Sequence, residues 1–134
     1  MIGFVMLECL IIGDSIAVGI GQHRPDCVLE AKGGINSKNY AKYYTVQSAK
    51  NTVISLGSND LGMSGQYEVL YNLRGEVEGT VLWILPANNN VARRNILAIA
   101  NIYNDAVADI RQLPLSRDGV HPTPKSYKKL SEQF

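Results

Sequence analysis

The stretch from Val5 to Gly19, VMLECLIIGDSIAVG, narrows the possible folds more than any other part of the chain. An apolar run stops at Gly13-Asp14-Ser15, and an apolar-periodic segment begins at once. That order predicts strand, tight turn, helix. A strand in a parallel sheet is covered on both faces and reads as a continuous apolar run, and Met6 to Ile12 has this character with Glu8 as its interruption. Gly13 gives the turn a permissive backbone, and Asp14 or Ser15 can cap a helix opening near Ile16. Ser15 would then stand where free N–H groups and the helix dipole favour negative charge, which suits a nucleophile that generates an oxyanion. The plainer alternative is that Asp14 and Ser15 do nothing beyond capping.

The same alternation continues down the chain. Cys27 to Ala31 predicts a short second strand closing at Lys32-Gly33-Gly34, and Ile35 to Tyr44 a surface helix whose Tyr40, Tyr43 and Tyr44 serve packing. Thr52 to Leu56 is β-branched and apolar and breaks at Gly57-Ser58-Asn59-Asp60. A helix over Met63 to Leu73, a buried strand over Thr80 to Leu85 with Trp83 in the core, and a long helix from about Ala92 to Ala108 follow. A brief extended piece at Ile110 to Leu115 leads to Asp118-Gly119-Val120-His121-Pro122 and a closing helix bearing Tyr127 and Leu130. Strands alternating with helices predict an α/β fold in three layers, a flavodoxin-like parallel sheet of about four to five strands with helices on both faces. Ligand sites in such sheets lie beyond the carboxyl ends of the strands, and that edge is where the glycine and polar clusters would gather.

Length and charge bound the function. A chain of 134 residues supports one domain, here residues 1–134, and 13 basic against 12 acidic side chains leave a net charge of +1. That balance makes no case for nucleic acid or an anionic membrane, so partners are expected to be small or neutral. Cys9 and Cys27 sit in apolar, strand-like surroundings and are expected to be buried free thiols, not part of a disulfide framework. The first dozen residues lack the basic flank and cleavage site of a signal peptide, and no stretch has transmembrane length. The expected location is cytoplasmic by default, with release by lysis or a carrier left open. Two separated histidines and lone cysteines give no metal-ligand spacing, so neither metal nor cofactor is expected.

A serine nucleophile needs a base, the base an orienting carboxylate, and the developing oxyanion its donors. His23, between a glycine-rich turn and a proline, has no carboxylate placed beside it by the sequence. His121 follows Asp118 by three residues with a glycine between, so a tight turn can bring the carboxylate to one imidazole nitrogen while the other faces Ser15. Alone, Asp-Gly before proline is turn chemistry. Three blocks together carry more: GDSIAVG at 13 to 19, GSND at 57 to 60 and DGVHP at 118 to 122 resemble, in order and spacing, blocks I, III and V of the SGNH, or GDSL-type, serine hydrolases. The resemblance implies Ser15 as nucleophile, His121 as general base and then acid, and Asp118 as its orienting partner. It implies an oxyanion hole from the Asn59 side chain and the backbone N–H of Ser15. For the third donor GGIN at 33 to 36 offers Gly34, with Ser37 as the other register. Ser126 departs from the glycine that often precedes the aromatic residue in that family.

The chain has no surplus sequence for an apolar tunnel, which favours a small acyl group on a larger alcohol. The expected activity is hydrolysis of acetyl-type esters, with O-acetylated carbohydrate as substrate and Asn88-Asn89-Asn90 and Arg93-Arg94 available to a polar alcohol. Alternatives are a thioesterase or lysophospholipase-like hydrolase, an O-acyltransferase, and a catalytically silent carbohydrate-binding or virion-associated module.

Overall fold

The computed structural model describes residues 6–134. Val5, at the head of the predicted first strand, lies outside the described residues. Five parallel strands form one sheet in the order β2-β1-β3-β4-β5. They are β1 (Leu7–Gly13), β2 (Val28–Ala31), β3 (Ala49–Ser55), β4 (Thr80–Leu85) and β5 (Ala106–Asp109). The connecting helices are α1 (Ser15–Gly21), α2 (Ser37–Tyr43), α3 (Gln66–Gly75) and α4 (Asn90–Tyr103), and α5 (Pro124–Ser131) closes the chain. This is the doubly wound, flavodoxin-like order.

Alternating residues of the buried strands face two cores. On one face Leu10, Ile12, Ile54, Trp83 and Leu85 pack with Tyr40 of α2, Leu70 and Leu73 of α3, and Ile96 and Ile99 of α4. On the other Ile11, Val53 and Ile84 pack with Ile16, Ala17 and Ile20 of α1 and Leu130 of α5. Both faces of the central strands are therefore dry, which is why they read as unbroken apolar runs. Trp83 is fully buried, as expected. No helix of the described residues is long and apolar enough to cross a membrane.

Three details differ from the expectations. First, Cys9 and Cys27 are not free thiols but form a disulfide. The pairing of Leu10 with Val28 in the β1–β2 ladder sets Cys9 and Cys27 opposite one another, with Cα atoms 4.7 Å apart. Second, the long helix ends at Tyr103 and not near Ala108, because Asn104 takes the left-handed conformation (φ 56°) and caps it. Residues expected to continue that helix form β5, and Ile110–Gln112 is a single 3-10 turn instead of the start of an extended piece. Third, α3 starts at Gln66, three residues late, after the turns at Gly62 and Gly65.

Candidate active site

β1 and β3 are neighbours, with Gly13 paired to Ser55, while the chain from β1 crosses first to β2 on the other side. Their carboxyl ends thus flank the point where the winding reverses, the place where open α/β sheets hold ligands. The turns carrying Ser15 and Asn59 leave from these two ends. Gly13 is required there: at φ +136° a Cβ would stand 1.8 Å from the Ser55 carbonyl oxygen.

The Asp14 and Ser15 side chains have different partners. Asp14 is the cap, its Oδ1 accepting from the Ile16 N–H at 3.0 Å and from the Ser55 hydroxyl at 3.1 Å. The Ser15 hydroxyl points elsewhere and hydrogen-bonds His121 Nε2 at 2.7 Å. His121 Nδ1 in turn meets Asp118 Oδ2 at 2.6 Å. Ser15, His121 and Asp118 form one hydrogen-bonded row across 106 residues of sequence.

The loop holding the imidazole is fixed by its own backbone. Leu115 bridges Pro122, and the Ser116 N–H donates to the His121 carbonyl at 2.7 Å. Asp118 Oδ1 accepts from the N–H groups of Val120 and His121 at 2.9 and 3.0 Å. These backbone donors, with the imidazole beside them, hold the Asp118 carboxyl down at about 2. The carboxylate is therefore ionised at mildly acid and neutral pH. The row is open: the His121 and Asp118 side chains are 39% and 48% exposed. His23 lies exposed in the turn after α1, outside the row.

Two loops meet beside the serine. In the first, Ile35 N–H bonds the Lys32 carbonyl at 3.3 Å across Gly33-Gly34, with Gly34 at φ +79°. A Cβ built on Gly33 would touch the Ser15 Cβ at 3.8 Å, so this turn lies against the serine. In the second, Asn59 donates one amide N–H to the Ile35 carbonyl at 3.0 Å, which fixes the amide and leaves its second N–H uncommitted by that bond. Asp60, buried beside it, ties the loops together by accepting from the Ser37 N–H at 2.8 Å, the Ser37 hydroxyl at 2.5 Å and Gln66 Nε2 at 2.7 Å. Both donors of Ser37 are thus spent on Asp60, and Ser37 is fully buried. Gly34 is exposed, and its N–H lies outside the turn's own hydrogen bond.

Four of the five residues expected to meet a polar alcohol are engaged within the fold, and exposed Arg94 is the fifth. Asn89 caps α4 through the Ala92 N–H, Asn88 donates to the Ser58 carbonyl, and Asn90 accepts from Arg111. Arg93 is paired bidentately with Asp109 at 2.7 Å, because β5 ends beside the first turn of α4. Tyr40 and Tyr44 stack at 4.4 Å as packing residues, whereas Tyr43 is 69% exposed. Asn39 and Tyr43, spaced i, i+4, share a helix face separate from that of Tyr40 and Tyr44. Ser126 is buried and donates its hydroxyl to the Pro114 carbonyl, linking α5 to the loop before Asp118. Among the described residues no three His, Cys, Asp or Glu side chains cluster to hold a metal ion.

Asp14 adds a pH dependence. It is fully buried, its Oδ2 has no partner among the described residues, and burial raises its carboxyl to about 6. The folded protein then binds a proton that the unfolded chain has released between about pH 4 and 6, so stability falls as pH rises through that window, by about 3 kcal/mol at most. Asp14→Asn keeps the capping oxygen and removes the buried charge. Urea unfolding is expected to show it more stable than the parent by about 1–2 kcal/mol at pH 8, with the gap closing at pH 4.5; a variant weaker at pH 8 would contradict the assignment.

No protein-family model and no curated protein sequence matches the chain. Solved structures do. A member of the lipolytic protein G-D-S-L family from Veillonella parvula superposes with a TM-score of 0.59 at 16% identity, covering 93% of this chain and 94% of that one. The fold is that of the SGNH, or GDSL-type, hydrolases. The native aryl esterase of M. smegmatis shares the SGNH fold with a TM-score of 0.58 at 15% identity, over 93% of this chain and 95% of that one. The C-terminal catalytic domain of Streptococcus pneumoniae peptidoglycan O-acetyltransferase A does so with a TM-score of 0.60 at 14% identity, over 96% and 90%.

Proposed function

We propose that this protein is a serine ester hydrolase that removes acetyl-type groups from carbohydrate esters through an acyl-enzyme on Ser15. The observation that carries the proposal is the row of Ser15, His121 and Asp118 at 2.7 and 2.6 Å. Ser15 Oγ attacks the ester carbonyl as His121 Nε2 takes its proton, and ionised Asp118 holds the other imidazole nitrogen. The oxyanion is met by the free N–H of the Asn59 amide, by the Ser15 N–H, which no carbonyl of α1 can reach, and by the Gly34 N–H. The imidazolium returns its proton to the departing alcohol oxygen. Water then attacks the acyl carbon, giving a proton to His121, and collapse releases the acid while Ser15 regains its proton.

The openness of the row supports a small acyl group, since an exposed site cannot bury a long chain. The Cys9–Cys27 bridge supports work in oxidising surroundings, outside a reducing cytoplasm. O-acyl transfer is the second reading, supported by the fold shared with the peptidoglycan O-acetyltransferase domain; the same acyl-enzyme would pass to a sugar hydroxyl in place of water. Hydrolysis of p-nitrophenyl acetate, butyrate and octanoate separates the possibilities. Turnover falling from acetate to octanoate is expected. Preference for octanoate would overturn the small-acyl reading, and acetate turnover that depends on an added sugar acceptor would favour transfer.

A further inference from the structure

A hollow of about 190 Å³ opens beside the catalytic row, lined by Lys32, Gly33, Gly34, Ile35, Asn39 and Tyr43. Gly33 connects it to the serine, because a Cβ there would reach the Ser15 Cβ at 3.8 Å. Its wall is therefore continuous with the place where the ester would react. Tyr43 lines it with an aromatic ring that is 69% exposed. Such a ring offers a face to the C–H side of a pyranose, and Asn39, exposed one helical turn before it, offers both a donor and an acceptor to hydroxyl groups.

Charge makes the hollow selective. Lys32 lines it, Lys42 stands 5.3 Å from the centre of the Tyr43 ring, and Lys38 is exposed on the same short helix. None of these three lysines is in an ion pair among the described residues, whereas Arg24, Lys50, Arg74 and Arg93 all are. Three of the basic side chains that form no ion pair among the described residues thus stand at or beside this one hollow next to the serine.

We propose that the hollow between the Lys32–Ile35 turn and α2 is the subsite for the alcohol part of the substrate, and that this alcohol is an anionic, carboxylate-bearing pyranose stacked on Tyr43 with its charge held by Lys32 and Lys42. The proposal deepens the esterase reading and rests on it for the reaction, but the binding can be tested apart from turnover.

Two measurements test it. In the first, kcat/KM is measured on O-acetylated oligogalacturonate, on acetylated xylo-oligosaccharide and on p-nitrophenyl acetate, for the parent, Tyr43→Ala and the double variant Lys32→Ala/Lys42→Ala. The parent is expected to prefer the anionic glycan over the neutral one, with the preference shrinking as salt is raised. Each variant is expected to lose about tenfold on the anionic glycan, mostly in KM, and less than about twofold on p-nitrophenyl acetate. Equal use of both glycans by the parent, or the same loss on all three substrates in the variants, overturns the proposal while leaving the esterase intact. In the second, unacetylated trigalacturonate is titrated into Ser15→Ala and followed by amide NMR. Shifts confined to residues 32–43 uphold the subsite even if no ester is ever turned over, and their absence up to millimolar ligand overturns it.

Discussion

Ser15→Ala is expected to lower ester turnover by a factor on the order of 10³ to 10⁶ while leaving the protein folded. The Ser15 hydroxyl bonds His121, and the helix cap is supplied by Asp14, so removing one oxygen costs α1 nothing in capping. Stability measured by thermal unfolding should stay within about 1 kcal/mol of the parent, as for most changes at partly exposed positions. The contrast between the two readouts is what separates a nucleophile from a structural serine. A variant that keeps a tenth of the parent rate would remove Ser15 from the mechanism, whatever its distance to the imidazole.

The second large effect falls far from the serine. Asp105→Ala is expected to cost about 3–5 kcal/mol of folding stability, the loss that follows when one partner of a buried ion pair is removed. Arg74 meets Asp105 through Nε and Nη2 at 2.7 and 2.8 Å, and the Trp83 indole N–H donates to the same carboxylate at 3.0 Å. The two charged side chains are 8% and 3% exposed. Arg74 also donates to the Val77 carbonyl at 2.9 Å and lies 4.2 Å over the Tyr103 ring, so α3, β4 and the turn between α4 and β5 all converge on this pair. Deleting the carboxylate strands a guanidinium and an indole N–H away from water. Urea unfolding of the variant checks this, and a loss below about 1 kcal/mol would mean that water reaches the pair. Removing both partners in favour of apolar side chains of similar volume should cost much less than Asp105→Ala alone.

Asp105 also illustrates what the sequence leaves hidden. Ala106-Val107-Ala108 continues the apolar spacing of α4, so a helix read by periodicity runs straight through the residue that ends up beside Arg74. What stops the helix is the left-handed turn at Asn104, which local spacing does not announce. The disulfide is hidden for a similar reason: only the register of β1 on β2 brings Cys9 opposite Cys27. The partners of Arg93 and the asparagine run are hidden too, because Asp109, Arg111 and the backbone groups they meet are brought by distant strands and turns.

The core of the fold was legible because its strands are covered on both faces. β1 and β4 are apolar without interruption over their buried ends, β3 buries Val53 and Ile54 between Thr52 and Ser55, and each strand stops at glycine, polar residues or proline. The hydrogen-bonded row of Ser15, His121 and Asp118 is traceable in the sequence for a different reason. Asp118 and His121 are joined by a local turn with its own backbone hydrogen bonds, and Ser15 is set by the strand–turn–helix signal around Gly13. What the sequence leaves hidden there is the environment of Ser37, whose two donors are taken up by Asp60, a carboxylate from another loop.

The central claim is that Ser15, activated by His121, becomes acylated. Its most direct test is reaction with diisopropyl fluorophosphate followed by peptide mapping in the mass spectrometer. The account predicts one adduct per chain, on the peptide containing Ser15, and a strongly slowed reaction in His121→Ala. An adduct on another residue, or an unlabelled Ser15 in a folded protein that still hydrolyses esters, would contradict it.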